Sequence, residues 1–388
     1  MDPNRLNSLT QAVKKEALRL GFAAAGIAPA SALENHRLSL KAWIAAGSAG
    51  GLGYMQTFLE RQSTLLGTFQ DLKSVVVVAA PYHETEERQS DAAGPGTGRI
   101  ARYARGRDYH KVVHKRLKEL ELFFKKQLPQ PVKTVRTVDT APIQERVLAE
   151  AAGLGFFGKN TCLILPRGGS FVFLGALLTN VELAADQPLQ WDCGQCTLCL
   201  EACPTGALTK AYQLDAGRCI STLTIELKGT MEPALRPLVH DWLFGCDICQ
   251  EVCPYNRKRS TEPWREFHPS QGAGKALVLK EALSLRSQEA FVTRFAATPL
   301  TRPKREGLLR NAAVVAGNLK NPELVPDLAS ALTQDHSSTV RAHAAWALGQ
   351  MGLKGALDIL SRALQNELDP EVRSEIKAAL KLRKPVGV

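Results

Sequence analysis

The sequence predicts a multidomain α+β protein in three parts: a mixed α/β N-terminal part, a short part organised by cysteines, and a C-terminal array of helices. Three observations predict it. Before residue 185 apolar residues recur with both strand and helix periods. Eight of the nine cysteines fall between Cys193 and Cys253. Beyond Gly307 an alanine- and leucine-rich pattern repeats at an offset of 31 to 32 residues.

A chain of 388 residues allows two to four domains at roughly 100 to 200 residues each. With 45% hydrophobic and 22% charged residues it has the composition of a globular protein, which excludes wholesale disorder and fibrous structure. At the N-terminus Leu6, Leu9, Val13, Ala17 and Leu20 share one helical face, with Gly21 as a stop. No basic start, apolar stretch or cleavage site marks this segment for export, so a cytoplasmic location is expected. Ser74 to Ala80 and Val132 to Val138 read as strands, and Cys162 to Leu165 with Phe171 to Thr179 as a hairpin around Gly168-Gly169. The longest apolar runs, Val75 to Pro81 and Phe171 to Leu178, fall far short of the roughly 18 residues a membrane span needs.

The cysteines form two runs. The first is Cys193-x2-Cys196-x2-Cys199-x3-Cys203-Pro204 and the second Cys246-x2-Cys249-x3-Cys253-Pro254. This is the spacing of bacterial ferredoxins, in which three close thiolates hold one four-iron cubane and the cysteine before proline ligates the other. Cluster one then takes Cys193, Cys196, Cys199 and Cys253. Cluster two takes Cys203, Cys246 and Cys249, but Leu243 stands where its fourth ligand belongs, and the nearest spare thiol is Cys219. Zinc in four-cysteine sites is the alternative, though this spacing is unusual for it. A disulfide framework does not suit a long chain without an export signal. Cys162 is left over and reads as a buried apolar thiol.

In the C-terminal part Arg310 to Ala316 aligns with Arg341 to Ala347, and Leu328 to Leu332 with Leu360 to Leu364; Asp369-Pro370 opens a third unit. These are HEAT-type helical hairpins, too few to stand without the rest of the chain. The domain boundaries expected are 1–185, 186–260 for the ferredoxin-like part, 261–306 as a basic connector, and 307–388 for the repeats.

The net charge of +11 is unevenly spread. Arg99 to Arg136 carries 12 basic against 3 acidic residues, and Tyr255 to Arg310 carries 12 against 5. Two such blocks suit a polyanion such as nucleic acid, or simply solvated helix faces. His110 and His114 stand four apart on a predicted helix without a third ligand, which favours solvated or phosphate-facing histidines over a metal pair. Asp139 precedes Thr140-Ala141-Pro142, a predicted helix start, so capping is its ordinary reading.

Several motifs together carry a resemblance. Val138-Asp139-Thr140-Ala141-Pro142-Ile143-Gln144-Glu145-Arg146, Gly153-Leu154-Gly155-Phe156-Phe157-Gly158-Lys159-Asn160, Cys203-Pro204-Thr205-Gly206, Cys219-Ile220-Ser221-Thr222 and Gly245-Cys246-Asp247-Ile248-Cys249 resemble the epoxyqueuosine reductase family, in order and along essentially the whole chain. The resemblance implies an oxidoreductase that converts epoxyqueuosine to queuosine at the wobble position of tRNA. It implies cobalamin at the reaction centre, held by a nitroreductase-like N-terminal domain, and two [4Fe-4S] clusters that deliver electrons. Asp139 becomes the proton donor to the departing oxygen, provided burial against corrin and substrate raises its pKa. Lys159 and Asn160, in a turn, and Ser221 and Asp247, beside cluster ligands, become candidate corrin contacts. Arg61 is a further candidate, although Arg61-Gln62-Ser63-Thr64 departs from the family's pattern there. The lower-ligand motif Asp-x-His-x-x-Gly is not completed after Asp108-Tyr109-His110, so no protein histidine is expected on cobalt. The expected partners are tRNA, gripped by the basic blocks and the repeats, and an external electron donor; no membrane partner is expected, and a monomer is. Two other readings stay open: a non-catalytic electron-transfer module, and a cobalamin enzyme of the reductive dehalogenase kind acting on a small molecule.

Overall fold

The computed structural model describes residues 2–35, 37–83, 94–129, 131–257 and 262–381. The expected boundary between 260 and 261 lies outside them. Two compact units are present, and neither is one continuous stretch. The first comprises 1–86, 106–217 and 247–271; the second comprises 87–105, 218–246 and 272–388. Among the described residues no helix is long and apolar enough to cross a membrane.

The first unit is built on a four-stranded antiparallel sheet in the order Ala24–Pro29, Ser74–Pro81, Val172–Thr179, Thr134–Thr137. Ser74–Pro81 is buried at every position, as its unbroken apolar run requires of a strand covered on both faces. The expected hairpin does not form. Val172–Thr179 pairs with Ser74–Pro81 and Thr134–Thr137, while the short Leu163–Ile164 pairs with Phe156–Phe157. The turn at Gly168-Gly169 survives as a single bridge between Leu165 and Gly169. The reason is hydrophobic: eight residues as apolar as Val172–Thr179 gain more from a central place with two neighbours than from one short partner. The helix Pro3–Arg19 buries Leu9, Thr10, Val13 and Ala17, with Pro3 at its first position and the Asp2 side chain accepting from the Asn4 N–H. The helix Tyr109–Lys126 is capped by Asp108 and buries Val113, Leu117, Leu120 and Phe124.

The second unit joins a three-stranded sheet, Trp242–Phe244, Thr97–Ile100, Ala276–Val278, to the helical repeats. In the repeats Val325–Gln334 packs on Ser338–Met351, and Lys354–Asn366 packs on both Ser338–Met351 and the last helix, Pro370–Lys381. Lys304–Leu319 and Ser338–Met351 are buried almost all round, and Lys304–Leu319, Ser338–Met351 and Pro370–Lys381 stack directly in succession. Gly317 and Gly349 stand at the repeat spacing and make that stacking possible: a Cβ on Gly317 would lie 2.6 Å from Trp346, and one on Gly349 2.6 Å from Ala379. A groove of about 970 Å³ is lined by Ser330 and Thr333 on one outer helix and Arg362 and Asn366 on the next.

The same unit explains why the repeats are not a detachable appendage. Arg310, fully buried, donates to the carbonyls of Leu223, Leu227 and Gly229 at 2.7, 2.8 and 3.1 Å. Asn311 beside it donates to Thr224 O and Leu243 O at 2.7 and 3.0 Å. These carbonyls close the end of the helix Ile220–Ile225, which starts directly after Cys219, and the strand Trp242–Phe244, which ends two residues before Cys246. A guanidinium at the carbonyl end of a helix satisfies groups that nothing else in that helix can.

Candidate iron-sulfur sites and an acidic cleft

Cys193, Cys196, Cys199 and Cys253 line one small cavity of about 40 Å³ in the first unit, together with Lys159, Asn160, Leu198 and Tyr255. Among the described residues no group of three or more His, Cys, Asp or Glu side chains is placed to hold a single metal ion. The crowding has an electrostatic cost. Burial, then the neighbouring Cys193 thiolate, pushes the Cys199 thiol up to about 11, and burial raises Cys253 as well. Four thiolates are stable there only with cations between them, and the irons of a cluster supply that charge.

The turn at Lys159-Asn160 is tied to both cysteine runs. The Lys159 ammonium donates to the carbonyls of Gly194 and Cys196 at 2.7 and 2.9 Å, and its N–H donates to Cys193 Sγ at 3.4 Å. Asn160, buried, donates to Cys249 O at 3.3 Å and accepts the Cys162 N–H at 3.2 Å. Both side chains are therefore committed to the cluster loops. Cys162, expected as a buried apolar thiol, is half-buried, and the neighbouring Cys249 thiol holds it below the usual range. Cys203 ends the helix Leu198–Ala202 with its sulfur 3.6 Å from the Thr205 hydroxyl. Burial raises this thiol, but hydrogen bonds from the Leu208, Thr205 and Ala207 region outweigh it and leave the pKa lowered. Asp247, next to Cys246, is almost fully buried at the start of Ile248–Glu251.

In the second unit Cys219 caps the helix Ile220–Ile225, which packs on Trp242–Phe244 just before Cys246; the Gly245 N–H donates to Thr224 Oγ1 at 2.9 Å. Ser221 lies half-buried in the first turn of that helix. Leu243 is fully buried in the strand, which removes it from any ligand position.

Asp139 is not a helix cap. The helix after it begins only at Glu145, with Gln144 as its cap, and Asp139 sits at the end of a strand with a left-handed backbone, φ 54°. Its side chain is 65% exposed. Tyr109 donates its hydroxyl to Asp139 Oδ2 at 2.5 Å, and His110 Nε2 lies 3.7 Å from the same oxygen. The Asp139 N–H donates to Glu145 Oε1 at 2.8 Å. Crowding by these groups pushes the Asp139 carboxyl up, but the His110 imidazole beside it and the Tyr109 hydroxyl bonded to it prevail and hold it below the usual carboxylate range. Glu145 takes the opposite course: burial, then the Asp139 charge, pushes it up to about 7. Arg146 points away and donates to Thr161 O at 2.6 Å.

Tyr109 and Glu145 are site residues to which the sequence reading gave no role, and His110, read there as solvated or phosphate-facing, stands beside Asp139. The available signal was Asp108, which caps the helix and stands two residues before His110. Behind them Tyr109 stacks on Phe173, with ring centroids 4.4 Å apart, and Phe173 on Tyr82 at 4.4 Å. Arg61 is exposed on the helix Tyr54–Thr68, whereas its neighbour Gln62 is buried with both side-chain amide atoms unpartnered.

Comparison with known proteins gives this geometry its setting. Residues 192–256 match the family model of the 4Fe-4S double cluster binding domain, residues 65–140 that of epoxyqueuosine reductase QueG, DUF1730, and residues 300–381 that of HEAT repeats. The epoxyqueuosine reductase of Pseudomonas aeruginosa is 37% identical over 353 residues, covering 90% of this chain and 96% of that one. That of Escherichia coli is 36% identical over 356 residues, covering 90% and 91%. An epoxyqueuosine reductase solved with an epoxyqueuosine-modified tRNA-Tyr stem loop superposes with a TM-score of 0.85 at 30% identity, over 97% of this chain and 98% of that one. The Bacillus subtilis enzyme, solved with its catalytic aspartate loop swung out of the active site, gives 0.85 at 31%, over 97% and 99%. With identity above 30% across nine-tenths of its length, the chain belongs to the epoxyqueuosine reductase family of oxidoreductases.

Proposed function

We propose that the protein reduces epoxyqueuosine to queuosine at the wobble position of tRNA, with electrons passing through two [4Fe-4S] clusters to cobalamin and Asp139 delivering a proton to the departing oxygen. The observation that carries this is the pairing, in one chain, of a double-cluster domain with an open carboxylate held by a phenol and an imidazole. Removing an epoxide oxygen as water takes two electrons and two protons, and these two features supply one kind each.

Cluster one is assigned to Cys193, Cys196, Cys199 and Cys253, and cluster two to Cys203, Cys219, Cys246 and Cys249. The residues present also fit a corrin. The stacked Tyr109, Phe173 and Tyr82 rings form an aromatic wall behind Asp139, and the orphaned amide of Gln62 suits the carboxamides of a corrin rim. His110 is engaged by Asp108 and Asp139, which favours a corrin without a protein histidine on its metal. Arg61, Ser221 and Asp247 are retained as corrin-side candidates; Lys159 and Asn160 are reassigned to holding the cluster loops. Bound there, cobalamin supplies reducing power at a single metal beside the substrate.

The wobble base lies in a single-stranded loop, from which it can be turned into a cleft without opening a duplex. Lys111, Lys115 and Lys118 are exposed at helical spacing on Tyr109–Lys126, the helix that carries Tyr109 and His110, and suit the phosphates beside that base. The protein is taken to act as a cytoplasmic monomer fed by an external electron donor. The test is anaerobic purification with cobalamin, followed by incubation with a strong reductant and an epoxyqueuosine-containing tRNA stem loop. The expected product is lighter by one oxygen; no conversion by protein loaded with cobalamin and about eight irons would overturn the proposal.

A further inference from the structure

We infer that His110, oriented by Asp108, is the positioning residue that holds the proton Asp139 delivers and hands it to Asp139 in each turnover. This rests on the function proposed above and deepens it by naming where the proton is held.

The geometry is a relay of three side chains. Asp108 Oδ1 lies 2.7 Å from His110 Nδ1 and also accepts the His110 N–H at 3.1 Å. One carboxylate oxygen thus fixes both the helix start and the ring. That leaves Nε2 facing Asp139 Oδ2 at 3.7 Å, an ion-pair separation. The ring cannot turn freely, because it stacks on Tyr109 at 4.1 Å and Tyr109 is itself stacked on Phe173. Asp139 is held from the other side by Glu145 through its N–H.

Electrostatics agree with the geometry. The groups around the imidazole are Asp108 and Lys111 on its own helix, Asp139 on the strand end, and Glu145 and Arg146 on the following helix, which act through Asp139. Burial alone would lower the His110 pKa, but the hydrogen bond to Asp108 and the nearby Asp139 carboxylate raise it to about 9. Asp139 is held ionised below the usual carboxylate range. At neutral pH the pair therefore carries one proton, and it resides on the ring. In the step proposed, Oδ2 first takes the Nε2 proton and then passes that same proton to the departing oxygen, so Asp139 ends ionised as it began. The net change is the loss of one proton from His110, which water then replaces.

The sign of the pH dependence follows. A raised histidine pKa keeps the charged form present at lower pH and loses it as pH rises through about 9, so the rate should fall on the alkaline side there. Two experiments test the inference. First, imidazole NMR of the cofactor-free protein should find His110 titrating well above an ordinary histidine, and Asp108→Asn and Asp139→Asn should each lower that midpoint. Second, in the loaded enzyme His110→Gln should lower single-turnover kcat by tenfold or more with KM for the stem loop unchanged, and should erase the alkaline limb. A His110 that titrates ordinarily, or a His110→Gln enzyme with the wild-type pH profile, would overturn the relay while wild-type turnover upholds the function. A wild type that does not turn over at all would sink the function and the relay together.

Discussion

At the scale of single residues, the structure changes what Asp139 is able to do. A capping aspartate is ionised because free N–H groups favour its charge; this one is ionised because the His110 imidazole lies beside it and Tyr109 donates to it. Its left-handed backbone matters for the test, since asparagine tolerates that conformation better than most residues. Asp139→Asn should therefore fold, bind both clusters and cobalamin, and lose about 10²–10⁴-fold in single-turnover rate, the usual worth of a positioned acid. Circular dichroism, iron analysis and corrin absorbance check the first part, and product mass the second. Normal turnover would move the acid to Glu145 or water. This acid was only half legible in the sequence. Asp139 itself stood out by resemblance, but its partners come from a helix 30 residues earlier in the chain, and only the fold brings that helix to the strand end.

At the scale of elements, what could be read and what could not divides along a physical line. Cysteine spacing survives folding unchanged because ligands of one cubane must be local, and four of the expected thiols do line one cavity. The helical repeats were legible for a similar reason, since each helix buries the same face against the next. Strand pairing was not, because alternation and turns do not say which neighbour a strand prefers. Arg310 was misread with its block: charge counted as solvent-facing is sealed against backbone carbonyls. The leftover cysteines are separable by experiment. Cys219 starts a helix packed beside the segment that ends in Cys246, whereas Cys162 only neighbours a thiol already assigned as a ligand. Cys219→Ala should cost about four irons and the EPR signal of one reduced cluster, while Cys162→Ala should retain about eight irons. The reverse pattern would exchange the two assignments.

At the scale of the whole molecule, tRNA affinity should depend on a short list of free cations and much less on the formal charge of +11. Many basic residues of the two blocks are already spent within their own units. Arg99 stacks on Trp242 and pairs with Asp241; Arg116 pairs with Glu266, Arg136 with Glu121, Arg302 with Glu226, and Arg305 with Asp335. Lys111, Lys115 and Lys118 remain exposed along one helix face. If each neutralises one phosphate of a single-stranded loop, each adds about 0.7 to the slope of log K against log salt. Replacing all three with alanine should therefore reduce the slope by about 2 and weaken binding most at low salt, with clusters and cobalamin untouched. Fluorescence anisotropy with a labelled stem loop, read at several salt concentrations, measures both. Ending the chain just before Gly307 is a poorer probe of the repeats, because it removes Arg310 and Asn311 and strands the carbonyls of Leu223, Thr224, Leu227 and Leu243 beside the Cys219 and Cys246 segments. A truncated chain that loses tRNA binding would also be expected to lose iron. An unchanged salt slope in the triple-lysine variant, with wild-type affinity, would place the phosphate contacts elsewhere, and Arg362 in the groove of the repeats would be the next residue to replace.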